Sequence, residues 1–392
     1  MAMPECNRMK IAFVYDAVYP YVKGGVERRV WELAVRLSRN GHEVHVFGMK
    51  YWDGDDILIR DGVLLHGVCP AQSLYAGGRR TIFEAVWFAA RLLPHLARYH
   101  FDIIDCQQFP YLSCFTAKIA ALLKGIPLVI TWHEFWGDYW YDYLGIPGFF
   151  GKAIERVASR LSLNRIAVSE TTSAALAKAG STTTVVTIPN GIDSRHITLI
   201  PTAGERTDII FVGRLIRDKH ADLLIRAFAG IAAEDPVLIL RIIGEGPERE
   251  HLTGIVHDLG LTDRVFLHDF EKNYEDLIAR MKSARIFVLP STREGFGMAA
   301  LEALACGLPV VTVDHPKNAI RNLVTEKTGF LCALSVEDLS MAMKNALLRH
   351  EAMREDCIAA SRMFEWDRIT LLCEEYYRSV ITGTSDVPGQ TD

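Results

Sequence analysis

The feature that most constrains the fold of this chain is a regular alternation of short apolar segments with longer amphipathic ones, in two successive series. This alternation is typical of strands and helices that build a parallel sheet covered on both faces. The predicted strands are 10–15, 43–48, 103–106, 127–131, 165–169 and 184–188 in the first series, and 208–212, 238–243, 265–267, 286–289 and 309–313 in the second. We therefore expect an α/β fold of two doubly wound, Rossmann-like domains, with ligands bound in a cleft between the carboxyl ends of the two sheets.

The length of the chain also fits two domains. Its 392 residues exceed what a single hydrophobic core usually organises. The two series are separated by residues 190–206, which are loop-like in composition and have no strong periodicity. We predict an N-terminal domain over 1–196 and a C-terminal domain over 197–365.

Charge and cysteine content exclude several classes of protein. The net charge of −5 argues against general nucleic-acid binding. Residues 1–196 carry 21 Lys and Arg against 18 Asp and Glu, whereas the remainder carries 22 against 30, so the first half is compatible with an anionic acceptor or surface. The eight cysteines include no C-x-x-C pair and are predicted to be reduced, buried thiols.

The sequence also predicts a location. No signal peptide is apparent, and no uninterrupted apolar segment reaches the ~20 residues that a membrane span needs. We expect a cytoplasmic protein, and peripheral contact with the cytoplasmic face of a membrane stays open.

Two carboxylates mark the first candidate site. Between residues 291 and 313 the acidic residues are Glu294, in a glycine-rich loop, and Glu302, in an otherwise apolar helix. A helix that is apolar all round is normally buried, and a buried carboxylate is costly unless something binds it. Both are therefore predicted to face one polar ligand; the alternative is a surface carboxylate on a partly exposed helix.

Two cations mark the second candidate site. Arg214 and Lys219 lie on the loop that follows the predicted strand 208–212, where a forked guanidinium and a point charge suit a diphosphate. The alternative is a pair of solvated loop charges. Gly244, after the next strand, lies in a turn that either flanks a base or phosphate pocket or is only structural.

Three residues of the first half are further candidates. Gly24 and Gly25 precede a helix, whose N-terminus favours anions, although two glycines also make a plain turn. They do not form G-x-G-x-x-G, so a nicotinamide dinucleotide site is not supported. His133 follows a strand and is placed to bind a sugar hydroxyl or a backbone carbonyl, although a lone histidine is more often structural.

Two other patterns stay ambiguous. Residues 132–150 are rich in aromatic side chains, which suit sugar stacking, a membrane interface or packing on their own domain. Asp53-Gly-Asp55 matches the D-x-D pattern of metal-bound nucleotide sugars, but three-residue matches arise by chance, and we expect no metal.

Taken in order, these motifs resemble a known family. The order is GGVERRVWELA, His133, PNGID from Pro189, GRLIRDK, GEGPE, and EGFG with Glu302 five residues after its last glycine. Over nearly its whole length the chain resembles glycosyltransferase family 4, retaining enzymes of the GT-B fold that use nucleotide-diphosphate sugars. Residues 364–366 resemble the closing segment of that family, whose last helix, expected here over about 366–385, crosses back to the first domain.

The resemblance implies roles in the second domain. Glu294 would bind hydroxyls of the donor sugar, and Glu302 would bind the ribose hydroxyls. Arg214 and Lys219 would neutralise the diphosphate as it leaves. One departure is His220, where many relatives have glycine after the lysine.

It also implies further donor contacts. Gly25, together with Gly24, would touch the phosphate from the opposite domain, and His133 would contact the sugar near its reacting end. Other donor contacts would come from backbone amides and a turn, at Gly295, Phe296, Gly297 and Gly244.

The predicted function is therefore glycosyl transfer. A hexosyl group would move from a nucleotide-diphosphate sugar to a glycan, lipid-linked or other glycoconjugate acceptor, without a cofactor or metal. The alternatives are a nucleotide-sugar epimerase of similar fold, and a non-catalytic protein that binds sugar nucleotides or acts as a membrane scaffold.

Overall fold

A computed structural model describes residues 8–76, 79–180 and 185–384, and its contacts divide the chain into two compact units. Unit 1 runs to Asn190 and resumes at Trp366, and unit 2 is Gly191–Glu365. The sequence placed this division after residue 196. Cys6 lies outside the described residues.

Unit 1 is built on a largely parallel sheet. Its strands are β1 (Lys10–Val14), β2 (Glu43–Lys50), β3 (Ile57–Arg60), β4 (Val63–Pro70), β5 (Tyr75–Ala76), β6 (Arg79–Arg80), β7 (Ile103–Gln107), β8 (Leu128–Trp132), β9 (Asn164–Ala167) and β10 (Val186–Thr187). Among the described residues, eight of them form one sheet in the order β10-β9-β8-β7-β1-β2-β4-β3. β3 is antiparallel to β4, and β5 and β6 form a separate hairpin.

Helices cover this sheet because its central strands are apolar throughout. They are α1 (Gly25–Arg39), α2 (Ile82–Ala97), α3 (Tyr111–Lys124), α4 (Tyr139–Leu144), α5 (Gly148–Ala158) and α6 (Glu170–Lys178). Residues 11–14 of β1 and all of β7 and β8 are buried, as expected of parallel strands with both faces covered.

Unit 2 repeats the design with a wholly parallel sheet. Its strands are β11 (Ile209–Val212), β12 (Leu240–Ile243), β13 (Val265–His268), β14 (Ile286–Leu289), β15 (Val310–Val313) and β16 (Gly329–Cys332), in the order β13-β12-β11-β14-β15-β16. Its helices are α7 (Ser194–Leu199), α8 (Ala221–Glu234), α9 (Arg249–Asp258), α10 (Tyr274–Lys282), α11 (Met298–Ala305) and α12 (Val336–Ser361). The order is that of a doubly wound fold, which confirms the predicted fold class.

The last helix belongs to unit 1. After α12 and a 3₁₀ turn at Arg362–Phe364, the chain forms α13 (Trp366–Thr382), which packs against α1. Tyr377 on α13 is fully buried, and its ring lies 6.4 Å from that of Phe13 in an edge-to-face arrangement. α13 thereby contributes side chains to the core of unit 1.

The sequence missed some elements. β3, β4 and β16 were not predicted, and β3 alternates exposed and half-buried residues at the sheet edge, which gives no apolar run. The strand predicted at 184–188 is shorter, Val186–Thr187, and residue 184 lies outside the described residues. Seven cysteines are described, and all seven are free and buried. No helix of the described residues is long and apolar enough to cross a membrane.

Candidate active site

The first candidate site lies at the carboxyl edge of the unit 2 sheet. β11 ends at Val212 and leads into the loop that carries Arg214, and a 3₁₀ turn ends at Lys219. β14 ends at Leu289 and leads into the loop that carries Glu294. Because β11 and β14 are neighbouring parallel strands, the two loops leave the sheet at the same edge.

Lys219 and Glu294 meet there as an ion pair. Lys219 Nζ donates to Glu294 Oε1, and it also lies 3.2 Å from the carbonyl oxygen of Arg293 and 3.4 Å from Ser291 Oγ. The two side chains are 12% and 19% exposed, so the pair is largely desolvated but reachable. Two residues predicted to face one ligand thus lie in direct contact.

A second ion pair beside the first joins the same two loops. Arg293 Nε donates to Asp218 Oδ2 at 2.9 Å. The Asp218 carbonyl accepts from the amide of Thr292 at 2.9 Å and from Ser291 Oγ at 3.1 Å. The sequence analysis did not single out these residues, although Asp218 and Arg293 each directly precede a predicted site residue. They fix the spacing of the loops that carry Lys219 and Glu294.

The conformation of His220 explains its departure from the family pattern. Its φ of 48° and ψ of 42° lie in the left-handed region, which glycine adopts without steric cost. His220 Nε2 lies 2.9 Å from Thr292 Oγ1, and burial lowers the pKa of the imidazole from its ordinary value. A hydrogen bond to the Glu294 loop therefore accompanies a backbone that favours glycine.

The backbone of Glu294 is held from its other side. Its amide donates to the Lys317 carbonyl and its carbonyl accepts from the Ala319 amide, both at 3.0 Å. Asn318, between them, is fully buried and donates to Thr312 Oγ1 and to the Val313 carbonyl, each at 2.9 Å. The position of the Glu294 side chain is thus set by the segment that follows β15.

The start of α11 is equally constrained. Gly297 has a φ of +98°, and a Cβ there would lie 2.4 Å from Ile320 Cγ1. Phe296 is buried, with its ring 6.0 Å from that of Phe364, and Gly295 is half-buried. Glu302 lies on α11 and is 6% exposed, so the predicted burial of its helix is correct. The α11 amides and Glu302 therefore share one rigid element with the Glu294 loop.

Gly244 has a packing role. A Cβ at Gly244 would lie 1.9 Å from the carbonyl oxygen of Gly213, so the loop after β12 touches the loop of Arg214. The amide of Leu215 donates to the Glu245 carbonyl at 2.8 Å. Arg214 itself is exposed.

Unit 2 also contains a cavity of about 520 Å³ on the other side of the Arg214 loop. Its lining comes from that loop and from the starts of α8 and α9: Leu215, Ile216, Arg217, His220, Ala221, Asp222, Glu248, His251 and Leu252. None of the predicted donor residues is in this lining, so the cavity is separate from the carboxylate and cation pair.

In unit 1, His133 lies at the carboxyl end of β8, half-buried. Its Nε2 lies 2.7 Å from Gln107 Oε1, and its amide donates to Gln108 Oε1 at 2.9 Å. Burial and the nearby Arg29 lower the pKa of His133 to about 3. The imidazole is therefore neutral near pH 7, with its proton on Nε2 if Gln107 accepts through its oxygen.

A buried carboxylate orients that glutamine. Gln107 Nε2 donates to Asp105 Oδ1 at 3.1 Å, and Thr131 Oγ1 donates to the same oxygen at 2.8 Å. Tyr377 of α13 donates to Asp105 Oδ2. Asp105 and Gln107 were not predicted as site residues, although both lie on the strand beside β8.

The glycine loop of unit 1 is less informative. Gly24 and Gly25 are exposed at the start of α1, and a Cβ at Gly24 would lie 2.4 Å from Glu27 Oε2. Glu27 is buried, and burial raises its pKa above the ordinary value. The local contacts therefore account for Gly24 by packing.

The aromatic segment packs largely on its own unit. Trp132 and Trp140 are buried, and Trp136 packs against the core, whereas Phe149 and Phe150 are exposed. Asp53 and Asp55 are exposed after β2. In the part of the chain that the structure describes, no group of three or more His, Cys, Asp or Glu side chains is arranged to hold a metal.

Comparison with known proteins identifies the family. The family model described as Glycosyltransferase Family 4 matches residues 23–196, and the one described as Glycosyl transferases group 1 matches residues 199–364. An uncharacterised glycosyltransferase of Methanocaldococcus jannaschii is 30% identical over 329 residues, covering 77% of this chain and 80% of the relative. The chain belongs to glycosyltransferase family 4.

A second relative of this glycosyltransferase is a phosphatidylinositol N-acetylglucosaminyltransferase from Homo sapiens, which is 27% identical over 86% of this chain and 68% of its own length. Among solved structures, sucrose-phosphate synthase from Thermosynechococcus elongatus has a TM-score of 0.78 at 22% identity, covering 96% of this chain and all of that one. The Anabaena protein HepE, in complex with UDP and glucose, has a TM-score of 0.72 at 21% identity, covering 95% and 100%. These structures confirm the GT-B fold of this glycosyltransferase.

Proposed function

We propose that this glycosyltransferase moves a hexosyl group, with retention of configuration, from a nucleotide-diphosphate sugar to a glycan, lipid-linked or other glycoconjugate acceptor. The observation that carries the proposal is the contact between Lys219 and Glu294 at the carboxyl edge of the unit 2 sheet. Ligands of open α/β sheets bind at that edge. A cation for the diphosphate and a carboxylate for the sugar hydroxyls lie side by side there.

The charge that develops during the reaction gives the cations their role. When the anomeric C–O bond breaks, negative charge builds on the diphosphate and positive character on the sugar. Arg214 and Lys219 supply fixed positive charge for the leaving diphosphate, and preorganised charges of this kind stabilise a transition state strongly. We propose that these two residues do this without a metal ion.

The carboxylates hold the donor rather than react with it. Glu294 is proposed to bind sugar hydroxyls and Glu302 the ribose hydroxyls, while amides at Gly295, Phe296 and Gly297 support the sugar and phosphate. The acceptor oxygen then attacks the face from which the diphosphate leaves, and its proton passes to a diphosphate oxygen. One C–O bond forms as one breaks, so no external acid or base is needed.

Residues of unit 1 are proposed to complete the donor site. His133 would contact the sugar, and because burial keeps its imidazole neutral, it would act as a hydrogen-bonding group and not as a cation. Gly24 and Gly25 would bring their amides to the phosphate. We also propose that the enzyme acts in the cytoplasm.

Relatives differ in the donor that their names state. HepE has been solved with UDP-glucose, and a Mycobacterium tuberculosis relative that is 30% identical over 47% of this chain is a GDP-mannose-dependent mannosyltransferase. The base of the donor is therefore the first property to measure. A thermal-shift screen with UDP, GDP and ADP and their sugars does this, because a bound ligand raises Tm according to RT ln(1 + [L]/Kd).

The decisive experiment follows with the donor that binds. Release of the nucleoside diphosphate should depend on an added acceptor and give a glycosylated product with the donor's anomeric configuration. Conversion of the donor without an acceptor would instead identify an epimerase. Donor binding without transfer to any acceptor of a broad panel would indicate a non-catalytic binding protein.

A further inference from the structure

Three helices of unit 1 form one outer layer. The strands β7, β8 and β9 follow one another in one direction across the sheet, so right-handed connections place α3 and α5 on the same face. α3 packs against α5 on one side and against α2 on the other. The outward surface of this layer belongs entirely to unit 1.

The α5 helix presents its apolar side to solvent. Phe149, Phe150, Ile154 and Val157 are 60%, 69%, 38% and 49% exposed, and Ile146, just before the helix, is 90% exposed. Their spacing places them on one stripe of the helix. Apolar stripes of this kind normally face a core, so this one is available to another apolar phase. We call these five residues the α5 apolar face.

A buried carboxylate fixes this orientation. Glu155, on the opposite side of α5, is fully buried and accepts hydrogen bonds from the Tyr111 hydroxyl at 2.7 Å and from the amides of Trp136 and Gly137 at 2.8 Å and 2.7 Å. A Cβ at Gly151 would lie 2.2 Å from the Trp140 ring, so the helix also packs closely on α4. Rotating α5 to bury its apolar face would break all three hydrogen bonds.

The charges of the layer are of one sign. Glu155 is the only acidic residue of α5, whereas Arg156 and, just after the helix, Arg160 are exposed. α3 contains no acidic residue and ends in the exposed run Leu122, Leu123 and Lys124. The only acidic residue of α2, Glu84, is buried, so none of the three helices exposes a carboxylate.

We propose that the α5 apolar face and its flanking arginines dock this enzyme on an anionic lipid membrane. The apolar side chains would enter the boundary between headgroups and acyl chains, and Arg156 and Arg160 would pair with lipid phosphates. The exposed cations favour this occupant over a neutral apolar partner. The inference is independent of the donor proposal, because it uses none of the donor residues.

Cosedimentation of the full chain with vesicles tests the proposal. The chain should sediment with vesicles of phosphatidylcholine and phosphatidylglycerol in equal amounts, sediment less as salt is added, and sediment little with phosphatidylcholine alone. Phe149→Ser with Phe150→Ser should weaken partitioning at least about tenfold. Arg156→Glu with Arg160→Glu should have an effect of at least the same size, since each cation near an anionic surface contributes roughly fivefold.

A matched control uses exposed apolar residues of unit 2. Met341 and Leu348 on α12 are 63% and 83% exposed, and Met341→Ser with Leu348→Ser should leave partitioning unchanged. All variants change exposed side chains and should keep the wild-type Tm. No sedimentation at low salt, equal sedimentation with both vesicle types, or equal losses in the control variant would overturn the proposal. So would a dimer in lipid-free solution that the phenylalanine variant abolishes, because a second copy would then cover this face.

Discussion

Tyr377 donates a 2.5 Å hydrogen bond to Oδ2 of Asp105, a residue 272 positions earlier in the chain. This bond joins the last helix of the protein to the central sheet of unit 1. Asp105 in turn accepts from Gln107, whose oxygen faces the ring of His133. The final helix therefore supports the residue proposed to contact the donor sugar.

Removing the tyrosine hydroxyl should be costly, because burial already raises the pKa of Asp105 and Tyr377 is one of its few donors. We expect Tyr377→Phe to lower the free energy of unfolding by about 1–3 kcal/mol, the usual effect of losing a buried hydrogen bond to a charged group. Urea denaturation measures this. Tyr141→Phe is the control, since Tyr141 is 40% exposed. Equal stability of the two variants would show that the bond contributes nothing.

The donor site gives a kinetic prediction. Glu294→Ala, and separately Arg214→Ala combined with Lys219→Ala, should each lower kcat/KM at least about 10²-fold, the usual loss when a preorganised charge contact is removed. Steady-state kinetics with the donor found by thermal shift measures this.

Arg217→Ala is the matched control for these variants. Arg217 lies on the same loop, but its side chain is 91% exposed and its partner Glu248 is 3.5 Å away. We expect a change in kcat/KM of less than about threefold, as for a solvated surface ion pair. Turnover like that of the wild type in the site variants would contradict the assignment of the donor site.

Much of the fold follows from sequence pattern, because apolar strands and amphipathic helices differ in period. The pairing of Lys219 with Glu294 also follows in outline, since a doubly wound sheet places its first strand beside its fourth. The bonds Arg293–Asp218 and Tyr377–Asp105 join residues 75 and 272 positions apart, and ordinary polar side chains give no local signal of such partners. The outward apolar face of α5 was hidden for another reason: its pattern matches that of a helix packed on a core.

The left-handed backbone at His220 predicts how that position responds to substitution. His220→Gly removes a steric cost of roughly 1–2 kcal/mol while losing the contact with Thr292, so we expect stability within about 1 kcal/mol of the wild type. His220→Val loses the contact and places a β-branched residue at a φ of 48°, so it should be clearly less stable than His220→Gly. Thermal or urea denaturation of both variants measures the difference. Equal stability would mean that the left-handed backbone carries no cost here.

Buried histidines in unit 1 predict how stability depends on pH. His66 Nε2 lies 2.7 Å from His45 Nδ1, and burial, with the nearby His45, lowers the pKa of His66 to about 3 from 6.5. Below pH 6.5 the unfolded chain binds a proton that the folded chain does not, so this histidine destabilises the fold increasingly as pH falls from 6.5 towards 3. Its contribution is at most about 1.4 kcal/mol per pH unit.

His66→Gln should therefore make the stability of the protein less dependent on pH between 6.5 and about 4, a range set by the pKa values of the folded and unfolded histidine. The slope should decrease without disappearing, because burial also lowers the pKa of His42 and His45. Urea denaturation at a series of pH values measures the slope. His257→Gln is the control, because the side chain of His257 is 82% exposed and should leave the slope unchanged. An unchanged slope in His66→Gln would mean that His66 is protonated in the folded protein, where the His45 ring beside it would then have to remain neutral.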